Sequence, residues 1–98
     1  MIAMKKVEVI IEAIYLNRFL ELFKRKGITG YTIIRDIEGA GGHGMKPNDD
    51  VTDVGTNCYI FTACEEEKFL AMKEDIRSFL SRYGGKCIIT DAMVILSS

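Results

Sequence analysis

Residues 57–90, NCYIFTACEEEKFLAMKEDIRSFLSRYGGKCIIT, decide the fold. Asn57 to Ala63 is rich in β-branched and aromatic residues and reads as a strand. Glu65, Glu66 and Glu67 then place negative charge where the N-terminal end of a helix dipole favours it. Phe69, Met72, Ile76, Phe79, Leu80 and Tyr83 recur at helical steps, which gives one apolar stripe. Gly84 and Gly85 stop that helix, because glycine enters the left-handed backbone region without a steric penalty. Lys86 to Thr90 opens another strand, so the unit is strand, helix, strand.

The same order occurs upstream. Residues 6–13, KVEVIIEA, set Val7, Val9, Ile11 and Ala13 on one face and Lys6, Glu8 and Glu12 on the other, the alternation of a half-buried strand. From about Tyr15 the period changes: Leu16, Phe19, Leu20 and Phe23 share one helical face, and Arg18, Glu21, Lys24 and Arg25 the opposite one. Gly27 is placed to end this helix, and Tyr31 to Ile37 supplies the second strand. A short apolar tail, Ala92 to Leu96, is available to add an edge strand. Two strand-helix-strand units predict an α+β, ferredoxin-like (βαβ-βαβ) fold, an antiparallel sheet with both helices on one face. Tyr59 and Phe61 alternate with Cys58, Ile60 and Thr62, so this strand is apolar on both faces. Something must cover the face without helices, most economically another copy of the chain, and a homo-oligomer is expected.

Length and charge narrow the function. The 98 residues are expected to form a single domain, 1–98, too small for separate sensing and output domains. The 13 Lys and Arg nearly balance the 14 Asp and Glu, which argues against nucleic acid as a partner. Glu8 and Glu12 interrupt the first apolar stretch, so it suits neither a signal peptide nor a membrane span, and a cytoplasmic protein is expected. Cys58, Cys64 and Cys87 are odd in number and lie in strand-like runs without CxxC spacing. Buried free thiols are expected rather than disulfides or a zinc site.

The stretch 38–56 between the two halves is longer than a hairpin needs and holds the only proline, Pro47, and the only histidine, His43. Glycines at 39, 41, 42 and 44 let backbone N–H groups approach an anion. The pattern is neither a Walker loop nor a dinucleotide fingerprint, since neither Gly-Lys-Ser/Thr nor a helix follows. Gly84-Gly85-Lys86 reads two ways, as a helix cap with an exposed lysine or as a phosphate-facing turn. Asp49, Asp50 and Asp53 do not follow calcium-loop spacing, one histidine makes no metal set, and no nucleophile-base pair is visible. Neither a catalytic nor a metal site is expected.

Taken in order, Lys5-Lys-Val-Glu-Val-Ile-Ile, Gly30-Tyr-Thr-Ile, Gly39-Ala-Gly-Gly-His-Gly and Tyr83-Gly-Gly-Lys-Cys-Ile resemble the PII-like signalling proteins over essentially the whole chain. That resemblance implies a trimer with a long T-loop, here about 38–56, between the second and third strands, and adenine nucleotides in clefts between subunits. It implies adenine and ribose contacts at Gly30, Tyr31 and Thr32, a backbone contact at Ala63, a T-loop base at Gly39, Gly41 and Gly42, and a phosphate-side loop at Gly84, Gly85 and Lys86. The family's basic pair near the C-terminus has no counterpart after Asp91, which favours ADP or AMP over ATP. The glutamine that serves magnesium and 2-oxoglutarate is absent, as is a tyrosine or serine in the loop for modification. These departures look more like the branch that includes the carboxysome-associated PII and SbtB proteins. That branch implies bicarbonate as second ligand, for which Arg35, Gly42, His43 and Gly44 are the candidates. It also implies output through T-loop ordering to a bicarbonate transporter or carboxysome-related protein. The alternatives are a CutA-like trimer associated with divalent metals and a structural docking protein.

Overall fold

A computed structural model describes residues 1–39 and 56–96. Strand β1 (Ile2–Glu12) runs through a 3₁₀ turn at Ala13–Tyr15 into α1 (Leu16–Arg25) and on to β2 (Thr32–Ile37). The second half repeats this with β3 (Asn57–Cys64), α2 (Glu66–Tyr83) and β4 (Lys86–Val94). The sheet order is β2-β3-β1-β4 with every neighbour antiparallel, the ferredoxin-like arrangement expected from the repeat. Most of the T-loop expected at 38–56 lies outside the described residues, including Gly41, Gly42, His43 and Gly44.

The period-two and helical patterns meet in one core. Val7, Val9 and Ile11 from β1 and Cys58, Ile60 and Cys64 from β3 are buried against Phe19, Leu22 and Phe23 of α1 and Met72, Ile76 and Phe79 of α2. Phe19 stands edge-on to both Phe23 and Phe79, at 4.9 and 5.1 Å between ring centroids, so aromatic packing joins the helices. The other face of the sheet carries Ile34 and Ile88, 49% and 46% exposed, beside half-buried Ile10, Tyr59 and Phe61. It also holds one polar pair: the Tyr59 hydroxyl donates to Glu8 Oε2 at 2.6 Å, and that bond to a carboxylate, aided by burial, pushes the phenol up to about 12.

The tail does not form an edge strand of its own. β4 continues unbroken through Asp91 to Val94 and pairs with β1 as far as Ile2↔Val94. Asp91 lies directly opposite Lys5 and accepts a hydrogen bond from its ammonium, so a charge that looks like a strand end is neutralised across the ladder. Cys58 and Cys64 are buried, as expected, and Cys87 is half-buried. Burial pushes all three thiols up, Cys87 to about 11, which leaves little thiolate for metal or redox chemistry at neutral pH.

Candidate functional site

Each helix-to-strand junction builds a feature of its own. At the first, Gly27 adopts φ 78° and its N–H donates to Lys24 O, while Ile28 N–H returns to Phe23 O and Ile28 is buried. The chain then passes β3, where Thr62 Oγ1 donates to Gly30 O at 2.6 Å and Lys68 Nζ donates to Gly27 O at 3.3 Å. Between them opens a groove of about 270 Å³ that takes in Met4, Thr29, Gly30, Ala63, Glu65 and Lys68. Tyr31 packs its ring on Phe23 at 6.0 Å and stays 42% exposed at the rim of a second hollow, and Thr32 is exposed opposite Phe61. Thus Gly30 and Ala63 line one groove, and Tyr31 and Thr32 follow directly from its edge.

The second junction is tight. Gly84 N–H donates to Leu80 O at 2.8 Å, and Gly84 and Gly85 take φ 84° and 105°. A Cβ on Gly85 would stand 2.5 Å from Ile10 O and 2.8 Å from Ile11 Cγ2, so the turn lies directly on β1. Lys86 is exposed opposite Ile10.

The register shows what one chain does not bring together. Ala63 pairs with Lys6 and Lys86 with Ile10, so four residues of β1, about 13 Å of strand, separate the levels of the two junctions. Gly39 follows β2 at the level of Asn57 and Glu12, the end of the sheet that also carries Gly84 to Lys86, but β2 and β4 are opposite edges. The candidate residues therefore fall into groups that one chain holds apart, Gly30 to Thr32 with Ala63 at one level, and Gly39 and Gly84 to Lys86 at the other level on opposite edges.

Near Gly39, β2 is irregular. Its register with β3 shifts between Ile34 and Ile37, and Asp36 has φ 58°, uncommon for a residue other than glycine. Such a bulge re-aims the side chains beside it. It leaves Arg35 exposed, with its charge close enough to Cys58 to offset part of the effect of burial on that thiol.

Several contributors escape sequence reading. Thr62 looks like any inward strand residue, and only the fold shows its hydroxyl meeting Gly30 O. Lys68 carries a weak signal, a base three residues after an acidic helix start. Among the described residues no group of three His, Cys, Asp or Glu is placed to hold a metal ion, and no helix is long and apolar enough to cross a membrane.

The profile of the nitrogen regulatory protein P-II family matches residues 4–97, nearly the whole chain. The chain belongs to the P-II family. Its members are regulatory signalling proteins that form trimers. Within the family the chain is similar to a divergent, PII-like branch. A structure of CPII from Thiomonas intermedia K12, a nitrogen regulatory PII-like protein bound to ADP, AMP and bicarbonate, shares 27% identity, with 99% of this chain and 98% of that one covered and a TM-score of 0.81. The same protein bound to ADP and bicarbonate matches at 28% identity over 95% of this chain and 89% of that one, with a TM-score of 0.79. A putative PII-like signaling protein from Thermus thermophilus matches at 25% identity, 96% and 91% coverage and a TM-score of 0.74. No curated protein matches the chain.

Proposed function

We propose that this P-II protein binds an adenine nucleotide, ADP or AMP, between neighbouring subunits, together with bicarbonate, and signals through the 38–56 segment in inorganic-carbon metabolism. The observation that carries this reading is the division of the candidate residues into groups that one chain holds apart. The half-open groove at Gly30 and Ala63 suits a base and ribose, and Lys86 after two glycines suits the phosphates of a nucleotide held by the adjoining copy. The partly apolar sheet face gives the copies a reason to associate. Structures of the similar CPII bound to ADP, AMP and bicarbonate support the choice of ligands. Arg35, re-aimed by the bulge, and the glycines and His43 that follow Gly39 are the proposed bicarbonate contacts.

Fixing a glycine-rich loop costs about 1–2 kcal/mol per residue in backbone entropy, so two ligands acting on one loop state bind more tightly together than either does alone. A transporter or carboxysome-related protein then reads the loop state. Calorimetric titration with ADP, in the presence and absence of bicarbonate, tests the proposal. Bicarbonate should tighten ADP binding several-fold, and identical affinities would overturn the coupled reading.

A further inference from the structure

The helix layer carries a charged groove that the nucleotide reading does not use. Arg18, Leu22 and Arg25 of α1 lie at positions i, i+4 and i+7, and Ser78, Phe79 and Arg82 of α2 face them across a cavity of about 310 Å³. Leu22 and Phe79 are buried and form the floor, and the three arginines are exposed on the rims.

None of these three arginines has a carboxylate within ion-pair distance among the described residues. Asp75, the carboxylate lining the groove, is paired with Lys26 at 3.2 Å, and nearby Glu74 is paired with Arg77 at 3.4 Å. Among the described residues no ion pair is formed by Arg18, Arg25 or Arg82, in a chain whose net charge is −1. Two of them are also held in place. Arg18 Nη1 donates to the Tyr83 hydroxyl at 2.9 Å, and the guanidinium carbons of Arg18 and Arg82 stand 5.2 and 5.4 Å from the same ring. Tyr83 in turn packs at a tilt against the rings of Tyr15 and Phe79, each 4.7 Å away between centroids. A single aromatic ring thus holds two like charges at one end of the groove, and their repulsion is relieved when an oxyanion approaches them.

We infer that this groove is a docking surface for an acidic peptide segment of a partner protein. The spread of charge selects a peptide over a compact anion. Arg25 lies seven residues along α1 from Arg18, about 10 Å by helical rise, and Arg18 is held on Tyr83, so the cationic contacts are spread along the groove. Carboxylates two turns apart on a helix, or three residues apart on an extended strand, match that interval. Guanidinium groups suit the partner because they take carboxylates in bidentate geometry and lose less hydration than an ammonium.

The surface shares no residue with the proposed nucleotide and bicarbonate contacts, but Tyr83 directly precedes Gly84, so the test includes ADP as a competitor. A fluorescein-labelled peptide with Glu at every third position and Leu among the residues between is titrated by anisotropy into the wild-type protein and into R18Q/R25Q/R82Q, with R77Q as a control outside the groove. The triple variant should bind at least about tenfold more weakly, R77Q within about twofold of wild type, and a Gln-for-Glu peptide about tenfold more weakly than the acidic one. R25Q alone, at a residue whose side chain makes no hydrogen bond or ion pair among the described residues, should weaken binding about threefold, and it serves if the triple variant does not fold. Equal binding by the arginine variants and wild type would overturn the proposal. So would displacement of the peptide by about 1 mM pyrophosphate, which would make this a small-anion site, or by ADP, which would place the groove inside the nucleotide site.

Discussion

The two helix-to-strand junctions do the same topological work with opposite tolerances. At Gly27 the nearest atom to an added Cβ is the end of the Lys68 side chain, 3.5 Å away, whereas at Gly85 it is the Ile10 carbonyl at 2.5 Å. The first junction stands off the sheet and leaves a groove beneath it, while the second is wedged onto β1. Glycine is therefore needed at Gly27 for conformation alone, and at Gly85 for conformation and space. The difference separates a junction with open space beneath it from one that fixes a neighbouring residue, Lys86, at the start of β4 opposite Ile10.

Substitutions can break that comparison or sharpen it. Gly85→Ala should have the largest effect, a loss of about 3 kcal/mol or more in chemical denaturation, because left-handed strain adds to a clash with backbone that cannot move aside. Gly27→Ala should cost about 1–2 kcal/mol, the left-handed penalty alone, and leave the fold intact by circular dichroism. An equal loss at both positions would mean that the space around the glycines is irrelevant. Thr62→Val should cost about 1 kcal/mol, since it leaves Gly30 O without its donor, and it should weaken ADP binding by loosening one wall of the groove. Lys86→Ala should have the smallest effect on stability, within about 0.5 kcal/mol, yet lower ADP affinity about tenfold or more in calorimetry. Unchanged ADP affinity would reduce Lys86 to an exposed start of a strand.

Both glycine stops and both amphipathic helices were legible in the sequence because each depends on residues within a few positions of one another. The length of β4 was not, because Asp91 reads as a strand end until Lys5, 86 residues away, is set opposite it. The bulge at Asp36 was hidden for a similar reason, since it is a mismatch between two strands and neither carries a sign of it alone. Of the candidate site, the glycines and Lys86 stand out as candidates in the sequence, whereas the Thr62 contact and the Arg18-Tyr83-Arg82 group do not. Those contacts span 32 and 65 residues and arise only when helices and strands stack.

The pairing of β1 with β4 also fixes an order of events. β1 is an interior strand whose partners are the third and fourth strands, and its outermost bridge joins Ile2 to Val94. Contacts this distant in sequence slow folding, because the chain must close a large loop before they form. On a ribosome adding roughly 5–20 residues each second, the first strand has no partner until β3 emerges and lacks the second until β4 emerges. The nascent first half therefore waits with an apolar strand unpaired, and any factor that shields it must act before β3 and β4 reach it.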